Sequence, residues 1–205
     1  MSSKTTILCF GNSLTAGYHQ FGLDYHPYAW KLEEKLKAAF PSHTFQVDVD
    51  GLPGDLVINP PGRFLPRLQK RCAEISYDWV VVLGATNDLG HRYPVARIFP
   101  ALEGAWKVAL NAGANILALT VPECAAVNKD LDARRAELNA QILGYQHEKF
   151  HAFDLHPKVP YHDATEEFRK KVWDDGLHLT PAGYDLVGSA VGDHLIHLLS
   201  ETMNL

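Results

Sequence analysis

Trp79-Val80-Val81-Val82-Leu83 is an unbroken apolar run, followed at once by the glycine-bounded stretch Gly84-Ala85-Thr86-Asn87-Asp88-Leu89-Gly90. A run of that length without polar alternation is what a strand buried on both faces requires, and such strands belong to parallel sheets covered by helices on either side. Outward from it, residues 5–10 read as a first strand ended by Gly11, and 44–49 alternate as an edge strand. Residues 115–121 form another buried run, with a loop over 122–128, and 150–155 a short fifth strand. Helical spacing fills the gaps. Residues 28–40 carry apolar Trp30, Leu32, Leu36, Ala39 and Phe40 and stop at Pro41, while 63–75 accept Pro66 only in a first turn. A third helix starts near Phe99 and Pro100 and ends before Gly113, and a fourth spans 131–147. The last takes Thr180 as N-cap and Pro181 at its first position, with Val187, Ala190, Val191, Leu195 and Leu198 as its apolar face. Five strand–helix units with short crossovers predict a five-stranded parallel sheet in a three-layer α/β/α sandwich. We take strand order 2-1-3-4-5 among the doubly wound options; ligands then bind outside the carboxyl ends of the strands, at the switch point between the first and third.

The 205 residues, 46% hydrophobic and 21% charged, suit one α/β domain and do not require two. A net charge of -5 with neutral histidines leaves no basic face for phosphate and argues against a nucleic-acid partner. The basic cluster at 67–71 is interrupted by Leu68 and Gln69 and reads as a solvated helix face. Cys9, Cys72 and Cys124 are far apart, an odd count without Cys-x-x-Cys, as expected of free, mostly buried thiols in a reducing compartment. Six residues precede the short apolar run at 7–10, too little for a signal peptide, and no segment approaches a membrane span. A cytoplasmic, soluble protein is expected.

Chemistry is therefore sought in the loops after the strands. The first reads Gly11-Asn12-Ser13-Leu14-Thr15-Ala16-Gly17. A serine there presents its hydroxyl above the sheet, or caps the next turn; Thr15 departs from the Gly-x-Ser-x-Gly elbow. After the second strand, Gly51-Leu52-Pro53-Gly54-Asp55 offers either a backbone N–H at close approach or an ordinary Pro-Gly turn. Asn87, after the third, is able to donate its amide to a developing oxyanion or to hold its own turn. Near the end stands Asp174-Asp175-Gly176-Leu177-His178-Leu179-Thr180. One turn of chain brings Asp175 onto the His178 imidazole, to orient it and stabilise its cation, or makes a plain turn before a helix. Four such segments after different strands supply nucleophile, base, orienter and oxyanion donors together.

These four segments resemble the sequence blocks of the SGNH hydrolases, also called GDSL esterases or lipases. Gly11-Asn12-Ser13-Leu14 is similar to the first block, which implies Ser13 as nucleophile. Gly54 in Pro53-Gly54-Asp55 matches the second, whose glycine N–H serves the oxyanion hole, with Gly51 as the fallback. Asn87 before Asp88 matches the asparagine of the third, and Asp175 and His178 the Asp-x-x-His of the last. The resemblance runs from Thr5 to about Gly188 and carries a flavodoxin-like fold with it. It implies a triad of Ser13, Asp175 and His178 and an oxyanion hole of the Ser13 and Gly54 N–H groups and the Asn87 amide. Two departures stand out: Asn12 replaces the usual aspartate, and Gly84-Ala85-Thr86-Asn87-Asp88 is one residue longer than the common Gly-x-Asn-Asp.

The expected activity is cleavage of small-molecule carboxylic esters with small or exposed acyl groups, through an acyl-enzyme and with no metal or organic cofactor. An acyltransferase or thioesterase with the same triad is the nearest rival, and an idle binding module the rival of another class. His147, His151, His156 and His162, with Asp154 and Asp163, form no closed ligand set of known spacing and are read as surface groups. His19 and His26 are given a surface role, and Trp30 and Trp106 a place in the core. Tyr18, Phe21 and Tyr25 are read either as a pocket wall or as packing over the first helix, and residues 155–174 as a segment long enough to cover the site.

Overall fold

The computed structural model describes residues 4–203. Five strands, β1 (Lys4–Gly11), β2 (Thr44–Gly51), β3 (Trp79–Leu83), β4 (Asn115–Leu119) and β5 (Phe150–Phe153), form one sheet in the order β2-β1-β3-β4-β5. Every pairing in it is parallel. This is the doubly wound order read from the sequence, with its switch point between β1 and β3. The long helices are α1 (Tyr28–Ala39), α2 (Phe64–Glu74), α3 (Val95–Asn111), α4 (Lys129–Gly144) and α5 (Pro181–Met203). Among the described residues no helix is long and apolar enough to cross a membrane.

Strand parity builds two cores. Leu8, Phe10, Val80, Val82, Ile116 and Ala118 face α2, α3 and α4, where Leu68, Leu102, Trp106 and Leu138 meet them. Ile7, Cys9, Trp79, Val81, Leu83, Leu117 and Leu119 face the other way, onto Leu32 and Leu36 of α1 and the inner side of α5. Successive residues of a strand point to opposite faces, so a strand with helices on both sides must be apolar throughout. Cys9 lies inside the second core, where burial pushes its thiol up to about 12. Cys72 and Cys124 are only half-buried, so a single thiol fits the expectation of buried cysteines.

Several boundaries differ from the sequence reading. Gly11, paired with Gly51 and Leu83, is the last residue of β1 and not the first one beyond it. β4 and β5 each stop two residues early. The third helix starts a full turn before Phe99, with Pro100 in its interior. Burial of Val95 and Ile98 extends it backward, while Ala96, whose carbonyl loses its partner to Pro100, is exposed and can be hydrated. α4 begins after Asn128, whose side chain accepts the Asp130 and Leu131 amides, and ends at Gly144. Thr180 does cap α5, its hydroxyl oxygen accepting the Gly183 amide at 3.1 Å. The buried face of that helix is Tyr184, Val187, Val191, Leu195 and Leu199; Ala190 and Leu198 flank it half-buried.

Trp106 is 1% exposed, as expected, but Trp30 is 54% exposed and touches His26 edge-on. Trp30 occupies the outer side of α1, because Leu32 and Leu36 already fill the inner one. Trp106→Ala should therefore cost about 3–5 kcal/mol of unfolding free energy, and Trp30→Ala no more than about 0.5 kcal/mol. Urea titration of both variants checks the contrast.

Candidate active site

Ser13 stands two residues beyond β1, at the first position of the short helix Ser13–Ala16. The helix fits there because Gly51, at the matching end of β2, has no side chain: a Cβ would lie 2.2 Å from the Ala16 nitrogen. The Ser13 N–H, at the helix start, has no protein acceptor among the described residues.

The segment at 174–178 is a tight hairpin. Trp173 bridges Leu179, the Asp174 amide donates to the His178 carbonyl at 2.9 Å, and Gly176 turns the tip with φ 81. Asp175 Oδ1 accepts the Leu177 and His178 amides at 2.9 and 2.7 Å, while its Oδ2 meets His178 Nδ1 at 2.8 Å. His178 Nε2 then lies 3.0 Å from Ser13 Oγ. Asp174 points elsewhere, accepting the Gln20 amide at 2.7 Å. Burial alone would raise the Asp175 pKa, but hydrogen bonds from the His178 ring and from the two amides outweigh it and hold the carboxyl below its ordinary value. Tyr18 packs its ring 4.5 Å from the imidazole, and its carbonyl accepts the Tyr184 hydroxyl. A hydroxyl, an imidazole and a carboxylate in this line are able to move a proton off the serine oxygen.

Asp55 joins the remaining loops. Its carbonyl oxygen accepts Asn12 Nδ2 at 2.7 Å and Asn87 Nδ2 at 2.8 Å. Its buried carboxylate accepts the Leu56 and Arg63 amides and pairs with Arg67 Nη1 at 2.6 Å. Arg67 also reaches Asp50 and the Gly11 carbonyl and lies over the Phe10 ring. Arg71 likewise binds Asp48. The expected solvated basic face is thus wrong at these two positions: acids on and after β2 draw both guanidiniums inward. Three aspartates opposite two arginines of the next helix were the available signal. Gly54, just before Asp55, has φ 76 with nothing within 4 Å of where a Cβ would be, and its N–H has no acceptor among the described residues. Asp88, fully buried, accepts the Val57 and Ile58 amides at 3.0 and 3.1 Å; burial raises its pKa and those amides partly offset the shift.

Other expectations resolve separately. His19 is 2% exposed and bonds to the Asp24 carbonyl, so it lacks the surface role expected of it, whereas His26 is partly exposed and binds Asp185 at 2.8 Å on the surface. Phe21 and Leu23 project into solvent, 84% and 86% exposed, on a turn where Gln20 and Phe21 have positive φ. The 155–174 segment buries Leu155, Val159, Val172 and Trp173 in the second core. His151 packs against Trp79, and Asp154 accepts the Thr120 hydroxyl. Among the described residues no three His, Cys, Asp or Glu side chains gather as a metal site. A cavity of about 600 Å³ adjoins the reacting groups, with Asn87 and Asp175 on its wall beside Leu89, Arg92, Val121 and Asn128.

Residues 9–186 match the GDSL-like lipase/acylhydrolase family. The chain belongs to this family. No curated protein matches it. Among solved structures, an aryl esterase of M. smegmatis superposes with TM-score 0.72 at 19% identity, covering 93% of this chain and 98% of that one. A lipase/acylhydrolase from Enterococcus faecalis gives 0.71 at 22% identity, over 94% and 96%. A carbohydrate esterase family 3 protein from Talaromyces cellulolyticus gives 0.73 at 13%, over 96% and 99%. These likenesses show a shared fold.

Both departures from the GDSL pattern have structural accounts. Asn12 donates to the Asp55 carbonyl, which an ionised aspartate cannot do. In the third segment Ala85 has left-handed backbone, φ 73, where glycine is favoured, so the residue two before Asn87 holds the conformation that the glycine of a Gly-x-Asn-Asp segment would take. A non-glycine residue held there costs on the order of 1–3 kcal/mol. Gly84 instead makes room, since a Cβ would lie 2.9 Å from Val57 and 3.0 Å from the Phe64 ring.

The lowered Asp175 pKa has a stability consequence. A carboxyl with a depressed folded pKa stabilises the native state above its unfolded value, and that contribution is lost as pH falls through the folded one. Asp175→Asn should lower Tm at neutral pH and make its decline below about pH 4 shallower than in the parent protein. Melting curves at stepped pH test this; parallel declines would contradict it.

Proposed function

We propose that this GDSL-family chain is a serine ester hydrolase acting on small-molecule carboxylic esters. The observation that carries the reading is the continuous line from Asp175 Oδ2 through His178 to Ser13 Oγ, with contacts of 2.8 and 3.0 Å. His178 Nε2 takes the Ser13 proton as the oxygen attacks the carbonyl carbon. Asp175 keeps the imidazole in the tautomer with its proton on Nδ1 and stabilises the cation that forms. The negative charge on the former carbonyl oxygen falls to three donors: the Ser13 N–H, the Gly54 N–H and the second N–H of the Asn87 amide. One Asn87 hydrogen is already spent on Asp55, which aims the other. Collapse of the tetrahedral intermediate breaks the bond to the alcohol oxygen, which leaves with the proton from His178. Water, deprotonated by the same imidazole, then attacks the acyl carbon; the bond to Ser13 Oγ breaks, the proton passes from His178 back to that oxygen, and the acid is released. No step calls for a metal or organic cofactor.

Ser13→Ala should keep the fold and lose nearly all esterase activity, together with labelling by a fluorophosphonate probe. A folded Ser13→Ala protein with near-parental turnover would end the proposal.

The oxyanion assignment is tested apart from the nucleophile. Removing one preorganised donor lowers kcat by roughly 10²–10³ with little change in KM. Asn87→Ala should do so and still accept the fluorophosphonate slowly, because Ser13 and His178 remain. Thr86→Ala, on the wall of the neighbouring cavity, should alter kcat little. Steady-state kinetics with circular dichroism compare the two; the reverse order of severity would remove Asn87 from the mechanism.

A further inference from the structure

The cavity beside Asn87 combines an apolar lining with three arginines. Leu89, Val121, Pro122, Ala126 and Leu131 give it hydrocarbon surface, and Arg92, Arg134 and Arg135 lie on the same wall, in a chain of net charge -5. Two of the three are engaged. Arg134 binds Asp130 and the carbonyls of Leu89 and Tyr93. Arg135 binds Asp132 at 2.8 Å and Cys124 Sγ at 3.3 Å, although its buried Nε has no acceptor. The carboxylates on the wall are engaged too: Glu123 by the Tyr161 and His162 amides, Asp175 by His178. Arg92 is exposed, and its guanidinium has neither hydrogen-bond acceptor nor ion-pair partner among the described residues.

The backbone beneath Arg92 is not free. It follows the short helix Thr86–Gly90 that bears Asn87, in left-handed conformation with φ 61. Its N–H donates to the Leu89 carbonyl at 3.0 Å, and the Tyr93 amide to the Asp88 carbonyl at 3.1 Å. This is the helix-ending turn that glycine favours. An arginine kept there starts from a fixed point, joined rigidly to the proposed oxyanion donor, and can take an anion without giving up another contact.

The cavity lies beside the proposed oxyanion donor Asn87, a place that suits the acyl chain of an ester. The alcohol oxygen must sit at His178 Nε2 to receive its proton, whereas the cavity wall includes Asn87 and the backbone turn at 175–177 but neither His178 nor Ser13. Resting on the hydrolase reading above, we propose that the preferred substrates are esters whose acyl chain is a few methylenes long and ends in a carboxylate. Half-esters of dicarboxylic acids are the simplest members, with the terminal carboxylate paired to Arg92.

Ethyl hydrogen glutarate and ethyl pentanoate differ by a terminal carboxylate against a methyl group, and titration of released acid follows both. A charge-assisted hydrogen bond at a solvent-facing site is worth about a tenfold preference. The parent enzyme should therefore show kcat/KM about tenfold higher for the half-ester, less at high salt. Arg92→Gln should abolish the difference while ethyl pentanoate turnover and fluorophosphonate labelling stay at parental rates. Equal rates in the parent, or a preference that survives Arg92→Gln, would overturn the inference and leave the hydrolase reading standing. Absence of fluorophosphonate labelling in the parent protein would remove both.

Discussion

The carbonyl oxygen of Asp55 has two lone pairs, and two side-chain amides take them, Asn12 from the end of β1 and Asn87 from the turn after β3. Three loops that are remote in sequence are thereby joined at one atom, beside the glycine whose N–H has no acceptor among the described residues. The carboxylate of the same residue carries the load from below. It is buried, and it survives burial because Arg67 and two backbone amides saturate it. Taking away the arginine leaves the buried Asp55 carboxylate without its counter-charge under the loop, whereas Arg67 would still keep Asp50, so the geometry above depends most on the arginine below.

The two halves of the proposed machinery are held by different means. Asp175 and His178 are organised locally, by a hairpin in which one carboxylate caps two amides and meets the ring of the same turn. Ser13 and Asn87 are organised by the sheet, since each follows a central strand whose side chains are anchored in both cores. The contact between Ser13 and His178 spans 165 residues of chain. It exists because α5, which follows His178, packs against the same face of the sheet as α1.

Strained backbone gathers at this edge of the molecule. Among the described residues, Gln20, Phe21, Ala85 and Arg92 are the non-glycine residues with positive φ, and they fall in the turns after β1 and β3. Such conformations persist only where surrounding contacts over-determine them. Ala85 is fully buried, with the buried Asp88 carboxylate bracing the turn three residues on. Gln20 is held by the carboxylate of Asp174.

The amino-acid sequence by itself determined the layer architecture, because strands sealed on both faces must be apolar at every position and helices on one face must repeat every three to four residues. Short crossovers forced parallel pairing, but the strand order was a choice among doubly wound options until the structure fixed it. The sequence marked Ser13, Gly54, Asn87, Asp175 and His178 as candidates, in four short segments with turn chemistry of their own, and the resemblance to the SGNH hydrolases supplied their expected roles. What it did not carry were relations between distant residues with no local signature. Arg67 and Arg71 look like solvent-facing charges until the acids on and after β2 are placed opposite them. Trp30 looks like core until the inner face of α1 is seen to be full, and Val95 belongs to a loop until the core takes it in. The spacing of the third segment looked one residue too long because Ala85 gives no sign in one dimension that it occupies a glycine's conformation. Local pattern reports which face a residue prefers; only the tertiary structure decides what stands opposite, and burial beside a partner is what turns a surface charge into a clamp.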